Sequence, residues 1–269
     1  MKTTHARERV ASVVTGLQGT LLFAIAANLG RANITDRAMT LAGQAFTSIL
    51  PVMIVMTSIP VSGPIEHAMD RITIQWLELD PNQPLTAGPA TASFGVLGAL
   101  MTIIGATSFS RALDRMYAEA WGIPKLGIAG WWRWPLVIGA IVAGITVEVF
   151  LVRSWPYSSA MVFETILSAL LWAPVWAAIT RLLTAGRIPG QAVLATGGAI
   201  GVAVSLYFLA TQIGFSRILA NAETRFSTLG VVFVVIGWLF VYSWIVVGAV
   251  VVTQTVMTWR DQLARNSAS

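Results

Sequence analysis

Three charged residues stand near one another in otherwise apolar text: Glu148, Arg153 and Glu164. An ionised group near the middle of a bilayer costs at least ~2.5 kcal/mol unless it is paired or hydrated, so charges in such surroundings point to function. One reading is an outward-facing polar site in which Arg153 attracts an anionic headgroup and Glu148 carries a proton. The other is that Glu148 and Arg153 pair with each other or snorkel to the interface. Gln44, Gln191 and Gln212 are uncharged, and each can hydrogen-bond across a helix bundle, as structural glue or along a translocation path. Pro51 and Pro174 remove backbone donors inside apolar segments and can kink them, leaving carbonyls for a cavity or a hinge. Arg111, Asp114 and Arg115 follow directly on the uncharged run 94–109, where they can receive lipid phosphate from the inner leaflet. At helical spacing, Arg111 with Asp114 and Arg115 with Glu119 can equally form local ion pairs.

Other chemistry is poorly served. Cysteine is absent, which excludes disulfides, thiolate metal sites and cysteine nucleophiles. A metal-dependent nuclease needs clustered His, Asp and Glu, whereas the two histidines, His5 and His67, are far apart. The run ATGGAIG at 195–201 lacks the Gly-Lys-Ser/Thr of a phosphate loop. Gly197 and Gly201, four apart in apolar text, instead suit close helix packing. Neither catalytic residues nor a metal or cofactor are expected.

These residues require long apolar helices to position them. The chain has 269 residues, 56% hydrophobic and 11% charged, where soluble proteins average about 25% charged. The expected fold is all-α: a polytopic membrane bundle of about six transmembrane helices with amphipathic interfacial helices. Residues 1–36 form a cytoplasmic N-terminus and an amphipathic helix, 37–259 the six-helix domain, and 260–269 a cytoplasmic tail. Val10 to Leu29 is diluted by Ser12, Thr15, Gln18 and Thr20, so it is read as a helix at the surface or against the bundle, with a further span as the alternative. The spans are placed at 37–59, 94–109, 135–152, 161–183, 189–214 and 229–259, all but the longer last one near the roughly 17–25 residues a hydrocarbon layer requires. The polar segment 60–91 holds a surface helix with Ile65, Ala68, Met69, Ile72 and Trp76 at helical spacing. A loop containing Arg217, Glu223 and Arg225 joins the last two spans. The second span continues beyond Phe109 as an amphipathic tail bearing Leu113, Met116, Tyr117, Ala120 and Trp121. WWRW at 131–134 fits an interfacial anchor.

Charge sets the expected orientation. With a cytoplasmic N-terminus, thirteen Lys and Arg lie inside and four outside, for net charges of +8 and −3. Both termini are then cytoplasmic. The basic character follows from topology, and no nucleic-acid partner is needed.

Three stretches together resemble the YihY/BrkB family of bacterial inner-membrane proteins, formerly named after ribonuclease BN. LAGQAFTSILP, 41–51, is similar to its first-span pattern of Leu-Ala, aromatics and Ser-x-x-Pro. SRALDRMYAEAWG, 110–122, is similar to its helix ending at Trp-Gly, and STLGVVFVVIGWLFVYSWIVVGA, 227–249, to its final span. Gly43 and Gln44 stand where that family more often has aromatics, and Val250 where an acid commonly follows Gly-Ala. The resemblance implies a six-helix inner-membrane fold and a part in moving or handling envelope lipids or other solutes. The partners expected are membrane lipids and a lipid or small-molecule substrate. The function expected is a transporter or flippase-like protein for an amphipathic, anionic molecule; the alternative is a non-transporting scaffold of the envelope.

Overall fold

A computed structural model describes residues 20–58, 89–127, 130–154 and 161–267. The basic N-terminus with His5, the first half of the 10–29 segment, and the polar segment with its surface helix and His67 lie outside these residues. Seven helices and no strand occur among the described residues: α1 (Leu21–Arg31), α2 (Ile34–Ser58), α3 (Pro89–Trp121), α4 (Arg133–Ser154), α5 (Met161–Leu183), α6 (Gly190–Ser227) and α7 (Leu229–Asn266). The described residues are thus all-helical in architecture, and α5, α6 and α7 are long and apolar enough to cross a membrane.

Local chemistry explains where the helices stop. The Thr20 hydroxyl accepts the Phe23 N–H at 3.4 Å and caps α1. Two residues, the second being Asn33 at φ 46°, then turn the chain into α2, which begins three residues before the boundary expected at 37. The uncharged run and the charged tail of α3 form one continuous helix, as their shared periodicity demands. It ends where Gly122, at φ 62°, lets the Ile123 N–H reach back to the Ala118 carbonyl at 2.9 Å. Between α6 and α7 the expectation of a loop is corrected. Arg217, Glu223 and Arg225 lie in helix, because FSRILANAETRF has no breaker and continues the α-helix until Ser227 takes φ 53°.

α6 and α7 run antiparallel. The Tyr207 hydroxyl donates to the Trp238 carbonyl at 2.8 Å, and the Trp238 indole donates to Thr211 Oγ1 at 3.1 Å. α5 crosses α6 closely where both have small residues. A Cβ on Gly197 would stand 2.5 Å from the Ala177 nitrogen, and one on Gly201 2.6 Å from that of Ala173. The two glycines therefore serve close helix packing, as their spacing suggests. Ser168 meets Ser205 one turn further along, so Met161, the first residue of α5, is level with Gln212 and Ile213 of α6. At 1.5 Å per residue the α6–α7 hairpin projects ~20 Å beyond the start of α5.

Burial is distributed opposite to that of a soluble bundle. In the uncharged half of α3, Leu100 is exposed at 54% and Ile103 at 60%, whereas Leu113 and Tyr117 in its charged half are at 0%. Leu170, Leu194, Leu206 and Phe233 likewise face outward, an apolar surface that suits lipid rather than water. The core gathers at the charged end, around Leu113, Tyr117, Trp176, Ile179 and Leu183, and continues between α6 and α7 through Ile200, Val204, Val246 and Val250.

Candidate functional site: a carboxylate held by neighbouring helices

Glu148 lies six residues before the end of α4, and both its oxygens are occupied. Ser168 Oγ donates to Oε1 at 2.8 Å, and the Trp172 indole donates to Oε2 at 3.0 Å. These donors sit four apart on α5 and so share a face. Ser205 of α6, 2% exposed, donates in turn to Ser168 Oγ at 3.3 Å. A hydroxyl relay thus runs from α6 through α5 to the carboxylate on α4. α4 comes close enough because Gly144, one turn away, has no side chain. A Cβ there would lie 3.2 Å from the Trp172 ring.

Ser168 and Trp172 are polar handles at helical spacing inside an apolar segment, and Ser205 is a third. That pattern is the signal in the sequence that could have named them beside Glu148.

The other residues singled out in the sequence fall in different places. Arg153 is in the last turn of α4, with its side chain outside the described residues. Glu164 is half-buried in the first turn of α5, where a negative charge is favoured. The register of the Glu148–Ser168 contact sets Glu164 level with the backbone of Arg153. Gln44 is half-buried in α2, while Gln191 and Gln212 are exposed on α6. No hydrogen bond joins the Gln44 or Gln212 side chain to Glu148 among the described residues. Pro51 lies within α2 and Pro174 within α5, where Pro174 is exposed and leaves the Leu170 carbonyl without its helical donor.

A second polar zone closes the opposite end of the bundle. Asp114 is 5% exposed, and both its oxygens accept the Leu126 N–H at 3.2 Å, fastening the link after α3 back onto that helix. Asp114 lies beyond the uncharged run. Burial pushes its carboxyl above the ordinary value of 3.8, against the lowering effects of the Leu126 N–H and of Arg115, Lys125 and Arg187. Glu119 pairs with Arg37 at 3.3 Å and with Lys125 at 3.8 Å, and Arg187 donates to the Pro124 carbonyl at 2.6 Å. Thr180 donates to the Trp176 carbonyl, so the 2.9 Å contact between Thr180 and Tyr117 is a bond from the phenol.

Arg111 and Asp114 are therefore engaged elsewhere than with each other. Arg111 donates to Ser108 Oγ at 3.2 Å and lies 5.7 Å from the Trp134 ring centre. Arg111 and Arg115 are exposed, whereas Asp114 is not. Arg133 donates to the Leu182 carbonyl at 3.2 Å and stacks over Trp132, while Trp131 and Trp132 remain exposed at this end. Comparison of the chain with protein-family models, with curated proteins and with solved structures finds no match.

Proposed function

We propose that this chain is a multi-pass protein of a bacterial inner membrane that moves an amphipathic, anionic lipid or solute between leaflets or across the bilayer. In this proposal α2 to α7 are the six membrane-crossing helices and both termini are cytoplasmic. The observation that carries the proposal is Glu148: a proton-exchangeable group on an apolar helix, fixed by Ser168 and Trp172 and reached by a hydroxyl relay from α6. Such a group costs too much at membrane depth to be retained without a partner or a role. Arg153, five residues on, supplies the positive charge an anionic headgroup would meet, with Glu164 level with its backbone as a counter-charge. At the opposite end, exposed Arg111 and Arg115 are available to lipid phosphate of the inner leaflet, while Asp114 holds the link. The resemblance to the YihY/BrkB family supports the same reading.

Glu148→Gln tests it. The amide keeps the size of the side chain and one acceptor but removes the exchangeable proton. In proteoliposomes bearing a proton gradient, the variant is expected to fold and to lose gradient-driven movement of fluorescent anionic lipid to the level of empty vesicles. Wild-type protein that moves neither lipid nor anionic solute under any gradient, or a fully active variant, would refute the proposal.

An envelope scaffold is the second reading. It is favoured by the exposed Phe226, Leu229 and Phe233 at the projecting hairpin, and it predicts no effect of the Glu148 substitution.

A further inference from the structure

The arms of the α6–α7 hairpin enclose a groove of about 400 Å³, a volume in the range of small-ligand sites. Tyr207, Thr211, Gly214 and Ile218 form its α6 wall, and Gly237 and Trp238 lie on the α7 side. The groove straddles the level of Met161, where α5 begins. Its polar atoms are engaged with one another: Tyr207 Oη donates to the Trp238 carbonyl, the Trp238 indole to Thr211 Oγ1, and Thr211 Oγ1 to the Tyr207 carbonyl at 2.8 Å. Nothing inside it asks for a polar ligand. Its depth comes from two missing side chains, since a Cβ on Gly214 or Gly237 would meet no atom within 4 Å.

At the outward end stand two exposed cations. Arg217 adjoins Ile218, and Arg225 follows Ile218 by seven residues, two turns on the same face and ~10 Å further out. Glu223, the carboxylate nearest to them in sequence, falls by helical spacing on the other side of α6. An apolar slot at the membrane boundary with arginines above it is complementary to a lipid that carries a negative headgroup.

We infer that the groove holds one acyl chain of an anionic glycerophospholipid from the leaflet at the hairpin end, with its phosphate at Arg217 and Arg225. The inference rests on the membrane reading above but on no transport step, so the two fail separately. The bound lipid lies on the hairpin and serves as a lateral docking point.

The test uses full-length protein in nanodiscs doped with phosphatidylglycerol bearing a photoreactive acyl chain, followed by peptide mapping of the label. Label is expected to concentrate on residues 207–218 and 234–241. Gly214→Leu with Gly237→Leu should remove it from these peptides while leaving the outward face of α5, at Ile166 and Leu170, labelled as before. Arg217→Gln and Arg225→Gln, both at exposed positions, should each lower groove labelling about fivefold. The same probe with a choline headgroup should label the groove weakly. Even labelling of groove and α5 that the leucines do not change would overturn the inference, as would equal labelling by the choline probe. So would an unlabelled groove whose leucine variants turn an oligomer into a monomer, which would make a second copy of the chain the occupant.

Discussion

Gly197→Ala is expected to destabilise the bundle by about 1–3 kcal/mol, because the new methyl would overlap the backbone of α5 rather than a side chain able to turn aside. The nearest atoms are the Ala177 nitrogen, Cα and Cβ, at 2.5 to 2.6 Å, so relief requires α5 and α6 to separate. Separation would also open the Ser168–Ser205 contact, one link in the relay to Glu148. The adjacent position supplies the control. Gly198 has nothing within 4 Å of an added Cβ, so Gly198→Ala should gain up to about 1 kcal/mol from helix propensity alone. Thermal unfolding in detergent, followed by circular dichroism, should move the two midpoints in opposite directions. If both substitutions stabilise, the helices are not in contact at Gly197.

Asp114→Ala carries the second large effect. It strips the acceptor from the Leu126 N–H, whose residue is only 5% exposed, at a cost of about 1–3 kcal/mol for the unsatisfied donor. Asp114→Asn keeps an acceptor and removes the buried charge, so it should be far milder. The pH dependence separates the two roles. In the folded protein burial raises the carboxyl above 3.8, so the native state holds its proton to higher pH than the unfolded chain does. The contribution of Asp114 to stability therefore falls as pH rises from 3.8 through the raised value. Asp114→Asn lacks that slope. Its stability relative to wild type should increase with pH across the window and level off above it. A pH-independent difference would mean that Asp114 titrates alike in both states.

The helical architecture was legible because its signals are periodic and long. The continuity of α3 through Phe109 followed from apolar positions that keep their spacing while charges appear around them, and the packing role of Gly197 and Gly201 from their separation of four. Contacts that join distant stretches were not legible. Helical spacing pairs Asp114 with Arg111, one turn away. Its partner is a backbone N–H of the following link, which no side chain advertises. Glu119 pairs with Arg37, 82 residues away, where Arg115 is the nearer candidate in sequence. Glu148 stood out as a charge in apolar text, but its serine and tryptophan donors come from another helix and required the α4–α5 register. The extension of α6 through Arg217, Glu223 and Arg225 is not legible in the sequence, because a cluster of polar residues between two apolar runs has the composition of a loop. Charges at exposed positions do not break a helix, and this one continues to Ser227.

A direct test of the account is the sidedness of that hairpin. The chain contains no cysteine, so Arg225→Cys, Arg187→Cys and Arg265→Cys each create a single reporter thiol. In intact bacterial cells an impermeant maleimide is expected to label position 225 and to spare 187 and 265 until the membrane is permeabilised. Labelling of 225 and 187 from the same side of an intact membrane would contradict the account, because α6 would then not cross the bilayer.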